Sequence, residues 1–129
     1  MNQDLFNAIK TKFESDSELV EAGGVLRHPE DRKTIPCVVV FEVDGEPDFT
    51  YSSTSEQYLI QFSCFGHDRD NCYAISENMI RVFDFLELDM YPDFEIEGFV
   101  RVGQHSPTQI DNKGYYQAIL EYQVSVGRV

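Results

Sequence analysis

The feature that most constrains this chain is its C-terminal stretch 116–126, where Tyr116, Ala118, Leu120, Tyr122, Val124 and Val126 alternate with Gln117, Glu121, Gln123 and Ser125. A period of two sustained this long fits a β-strand with one face in a core and the other polar, and it does not fit a helix. Residues 58–64 repeat the pattern, with Tyr58, Ile60, Phe62 and Cys64 on one face and Gln61 and Ser63 on the other. Two half-buried strands of this kind need an apolar layer over one face of their sheet.

Two segments can supply that layer. Leu5, Ile9 and Phe13 recur every four residues, with Phe6 beside them, which predicts an amphipathic helix over residues 4–14. Ser15 and Glu18 have capping-box spacing and predict a further short turn that Gly23 and Gly24 stop. The second helix starts after the cap residues of 67–71 and carries Cys72, Ile75, Met79, Val82, Phe83 and Leu86 at three- and four-residue steps. Glu77 and Arg81 fall on its other face at the spacing of a solvated ion pair.

The run 37–43 follows Pro36 and is apolar on both faces, so it reads as a strand covered above and below. Residues 25–28 predict a brief extended piece. After Pro92, Phe94, Ile96, Val100 and Val102 alternate with Asp93, Glu95, Glu97 and Arg101 as a further strand. The expected order is helix, short strand, strand, strand, helix, strand, strand. The expected fold is α+β: a mostly antiparallel four-stranded sheet with two helices packed on one face. With 129 residues, a single domain over 1–129 is expected. Two connections are long for hairpins, 45–55 and 103–114. Val38, Val40, Leu59 and Phe65 lie off the main apolar phase of their strands and suggest a surface for self-association.

Charge excludes some functions. Twenty-three acidic residues against ten basic ones give a net charge of -13, which repels phosphate backbones and argues against a nucleic-acid reader. No apolar run approaches the ~20 residues of a membrane span, and the acidic N-terminus does not resemble a secretory signal. Cys37, Cys64 and Cys72 cannot all pair, so buried thiols in a reducing compartment are expected.

Motifs for chemistry fail on inspection. The sequence Asp68-Arg69-Asp70 opens like a calcium loop, but Tyr73 and Met79 stand where Gly and Glu are required. Cys64, His67 and Cys72, with His28 or His105 as a fourth ligand, match no zinc spacing. Signatures of phosphate loops, serine hydrolases and zinc proteases are missing, so no catalytic residue, cofactor or metal is expected. Asp93, Glu95 and Glu97 recur at ~6.6 Å on one strand face. A solvated, aggregation-resistant edge is the favoured reading of them, and a cation or acid/base site the other.

The order of features resembles the tail-completion or tail-terminator proteins of long-tailed bacteriophages. The resemblance rests on the L-F-x-A-I helix at 5–9, the turn ending at Gly23-Gly24, the Pro-led V-V-V-F-E-V strand at 36–43, and Pro47-Asp48 in a loop. The Ile60-Gln61-Phe62 strand, the helix after H-D-R-D and the closing Y-Q-A-I-L-E-Y-Q-V-S-V strand complete it. It implies a non-enzymatic virion protein forming a ring, usually a hexamer, that caps the tail tube, stops its polymerisation and receives the head. The implied partners are other copies of the chain, the tail-tube protein and a head-tail connector. DNA would pass through without specific binding, and no membrane is involved. Assembly would take place in the host cytoplasm before incorporation into the virion tail. Glu46, Asp48, Phe49 and Tyr51 are the expected partner-contact residues of the 45–55 loop, and Asp93, Glu95 and Glu97 an expected acidic lumen. A peptide-binding module using an exposed strand edge, or a carboxylate-based enzyme, remains the alternative.

Overall fold

The structure is a computed structural model and describes residues 3–27, 34–44, 55–86, 88–91, 94–110 and 114–128. Helices α1 (Gln3–Glu14) and α2 (Ser17–Gly23) precede strands β1 (Leu26–Arg27), β2 (Cys37–Asp44) and β3 (Ser55–Gly66). Helix α3 (Arg69–Phe83) then leads into β4 (Leu88–Tyr91), β5 (Phe94–Gln109) and β6 (Tyr116–Arg128). The strands form one six-stranded sheet in the order β1-β2-β3-β6-β5-β4, in which only the β1–β2 pair is parallel.

The fold is α+β, as expected, but the sheet is wider than four strands and a third helix is present. β1 falls within the brief extended piece expected at 25–28, whereas β4 is too short for hydrophobic periodicity to announce it, and pairing with β5 makes it a strand. The turn after α1 becomes α2, and its N-cap is Asp16 rather than Ser15. The Asp16 carboxylate accepts from the Leu19 amide at 2.9 Å, whereas the Ser15 hydroxyl donates back to the Lys12 carbonyl. Gly24 ends α2 with φ 68°, and a side chain there would also meet the Pro36 carbonyl oxygen at 2.8 Å.

Apolar periodicity carries through to the core. Leu5, Ile9 and Phe13 of α1, Leu19 of α2, and Cys72, Ile75, Met79 and Phe83 of α3 are buried against Ile60, Phe62, Cys64, Leu120, Tyr122 and Val124 of the sheet. Asp68 caps α3 by accepting from the Asn71 amide at 2.7 Å, and the Asn71 side chain donates to the Ala22 carbonyl at 2.9 Å, which ties α3 to α2. At Gly66 a Cβ atom would stand 2.4 Å from the Cys72 amide nitrogen, so the start of α3 can pass over the end of β3 only because that residue is glycine.

β2 is buried on both faces, but Val38 and Val40 belong to the helix-covered core rather than to a free face. Cys37, Val39 and Phe65 form a second cluster on the opposite side, with Ile35 and Phe41 packed against it, and Leu59 is half-buried. The apolar phase therefore does not leave these residues open for self-association.

β5 departs most from expectation. The segment 103–109 is strand rather than loop: β5 continues to Gln109, and the Ile110 amide donates to the Tyr115 carbonyl at 2.9 Å. Its pairing with β6 shifts register between Ile96 and Gly98, between Arg101 and Gly103, and between His105 and Thr108. These bulges reverse the alternation, so Phe99 is buried while Val100 and Val102 are exposed.

Candidate assembly surface

Where α3 meets β5 and β6, a polar latch sits over an aromatic cluster. The rings of Phe62, Phe83, Phe99 and Tyr122 form a closed circuit in which neighbouring centroids lie 5.2 to 5.7 Å apart. The Tyr122 hydroxyl donates to Asp84 Oδ1 at 2.5 Å, and Asp84 Oδ2 lies 3.5 Å from an Arg101 guanidinium nitrogen. Arg101 also donates to Gln104 Oε1 at 3.1 Å. Burial first, and then the bond to Asp84, push the Tyr122 phenol far above its ordinary value, so it stays a neutral donor. That arrangement fixes the end of α3 against the sheet and leaves the phenol unsuited to proton transfer near neutral pH.

The latch positions an unusual turn. Asp84 closes α3 by donating its amide to the Ile80 carbonyl, and the next residue, Phe85, has φ 59°. Its amide donates to the Phe99 carbonyl at 2.8 Å, which seats its backbone on the β5 edge just past β4. The Phe85 side chain is 78% exposed. A bulky residue is disfavoured both by this left-handed backbone and by that exposure. Val100 at 50% and Val102 at 53% exposure continue the same edge.

Among the described residues no strand flanks β5 beyond Phe99, yet the edge is poorly suited to accept one. Its register shifts and Pro107 interrupt the row of backbone donors and acceptors that an added strand would need. This weakens the peptide-binding alternative at that edge.

A second polar contact braces the helices. Arg81 reaches Asp16, with nitrogen-oxygen distances of 2.9 and 2.8 Å, and Glu18 at 3.6 Å; this replaces the pairing with Glu77 that spacing alone suggests. The Arg81 hydrogen bond, followed by that of the Leu19 amide, holds the Asp16 carboxyl below its ordinary range.

The cysteines are packed as core. Cys37, Cys64 and Cys72 are free and buried, and the Cys72 thiol donates to the Cys64 carbonyl at 3.4 Å. Burial pushes the Cys72 thiol up to about 11 and the Cys64 thiol higher still, which makes both poor nucleophiles and poor metal ligands. His67 pairs with Asp68 at 3.3 Å on the surface, and His105 is exposed on β5. No cluster of three metal-ligating side chains occurs among the described residues. Among the described residues no helix is long and apolar enough to cross a membrane.

Glu46, Asp48, Phe49 and Tyr51 lie outside the described residues, as does Asp93. Glu95 pairs with Gly127 on β6 and Asp89 on β4, whereas Glu97 is the extra residue of the first β5 bulge. Phe85 and the exposed β5 valines were missed by periodicity. Phe85 follows an unbroken helical stripe, and no pattern in the sequence marks a backbone that turns left-handed there.

No family model matches the sequence, and no curated protein is similar to it by sequence. The fold does have a counterpart: it is similar to that of a chain in the structure titled "Virion of native gene transfer agent (GTA) particle", with a TM-score of 0.73 at 9% identity, covering 91% of this chain and 90% of that one.

Proposed function

We propose that this protein is a non-enzymatic structural component of a phage-like virion, and within that class a tail terminator. In this reading six copies form a ring on the end of the tail tube, stop its growth and offer a surface for the head. The observation that carries the proposal is the fold likeness to a gene transfer agent virion chain over nine tenths of both chains. The resemblance of the motif order to tail-completion proteins supports the same reading. The buried, protonated thiols and the neutral phenol of Tyr122 suit a scaffold better than an enzyme.

The partners in this reading are neighbouring copies, the tail-tube protein and the head-tail connector, met in the host cytoplasm and retained in the virion. Glu46, Asp48, Phe49 and Tyr51 would contact a neighbouring layer, with the two aromatic rings as anchors. Asp93, Glu95 and Glu97 would face the DNA path and repel phosphates, in keeping with a net charge of -13.

Polymerisation of the cognate tube protein with and without this chain tests the proposal. Tubes of limited length carrying this protein at one end are expected, and particles lacking it should carry overlong, headless tails. Tubes that grow unchecked at saturating protein would refute the terminator role. The Phe49→Ser, Tyr51→Ser double variant is expected to fold but fail to cap.

A further inference from the structure

Two edges of the sheet, far apart within one copy, carry matching features at the same height. On β5, Arg101 pairs with Tyr122; Tyr122 pairs on its other side with Ile60, and Ile60 with Glu42 of β2. Arg101 and Glu42 therefore end one row across the sheet with opposite charges. Each strand also bulges beside that row. Val102 is the extra residue between Arg101 and Gly103, and Val43 the extra residue between Glu42 and Asp44. Both side chains are solvent-exposed, Val102 at 53% and Val43 at 43%. Bulges re-aim side chains, and here the extra residue on each strand is an exposed valine.

Both edges are open at this height among the described residues. β1 flanks β2 only at Val38 and Val39, and β4 with Phe85 flanks β5 only as far as Phe99. Phe85 adds a third apolar group to the β5 edge, held by its backbone bond in a conformation that asparagine or glycine would adopt with less strain. Nothing within the single copy explains a phenylalanine in that place.

We infer that the β5 edge of one copy, through Phe85, Val100 and Val102, docks head-to-tail on the β2 edge of a second copy around Val43, with Arg101 and Glu42 setting the height. The occupant is another copy of this chain because the two edges complement each other in charge and in row. A chain with a net charge of -13 repels its own copies, so contact is favoured where apolar and oppositely charged groups meet. Two different edges in contact make a heterologous interface, which closes into a ring when the rotation divides the circle. The bulges keep the contact between side chains rather than extending the sheet. This inference rests on the ring reading above and assigns its subunit contact.

Mixing two single-cysteine variants, Val43→Cys and Val102→Cys, with a short bismaleimide tests the contact. Three inter-strand spacings of ~4.8 Å separate β2 from β5 within a copy, and the native cysteines are buried, so a Val43–Val102 link reports contact between copies. Covalent dimers are expected in the mixture and not with either variant alone. Dimers from Val102→Cys alone would indicate a two-fold contact and overturn the inference. Oligomers in light scattering without the mixed link would overturn the edge assignment and leave the ring reading standing. A monomer at every concentration, even with tail-tube protein added, would overturn both. As a second measure, Phe85→Asn should weaken self-association about tenfold or more without lowering the thermal midpoint, because asparagine tolerates the left-handed backbone. Unchanged association would remove Phe85 from the contact.

Discussion

β6 pairs with two strands, and the two ladders differ. Its pairing with β3 runs from Ser55↔Gly127 to Gly66↔Tyr116 without a shift, whereas its pairing with β5 shifts three times over a strand of sixteen residues. The β3 ladder lies in the interior of the sheet, where each slip would move a whole apolar set out of the core. Beyond Phe99, β5 has no flanking strand among the described residues, and bulges there cost little burial and spoil the template that an unpaired edge presents to other chains. One strand can thus hold a rigid core on one side and an adapted surface on the other.

Phe62→Ala is expected to give the largest effect on this contrast. Phe62 is fully buried on the regular ladder and stacks near Phe83 and Tyr122, so its loss should cost about 3–5 kcal/mol in chemical denaturation. A cost under about 1 kcal/mol would mean that the β3 ladder does not anchor the core.

Tyr122→Phe tests the place where the two ladders meet the helix layer. It keeps the ring and removes the donor to Asp84, leaving that carboxylate to Arg101, and a loss of about 1–2 kcal/mol is expected. Exchange protection of the Phe85 amide should fall with it, because Asp84 positions that turn. Unchanged protection would separate the latch from the turn.

Val100→Thr is the smallest change. At an exposed position on the bulged ladder it should alter folding stability by no more than about 0.5 kcal/mol. A larger loss would show that the β5 edge belongs to the core of the single copy, and would count against its use as a contact between copies.

Much of the fold was legible because burial leaves a period in the sequence. The stripe from Cys72 to Phe83 on α3 and the alternations on β3 and β6 each follow from one face meeting the core and the other meeting water. The assembly surface was not legible in the same way. Val100 and Val102 continue the alternation begun by Phe94 and Ile96, and only a register shift distinguishes them from core residues. The Glu77 and Arg81 spacing suggested a local pair, but Asp16, distant in sequence, supplies a better-placed carboxylate at the start of α2.

The sequence by itself determined the α+β class, a helix cap within 67–71, a stop at Gly23-Gly24 and the partition of residues between core and solvent over most of the chain. Those properties depend on a residue and its near neighbours, through dihedral preference, side-chain period and local hydrogen bonds. Tertiary structure decided the short strand β4, the bulges, the Asp84 latch and the left-handed Phe85. Each of these arises from a pairing between segments far apart in the chain, where a backbone group takes whichever partner the assembled sheet brings to it.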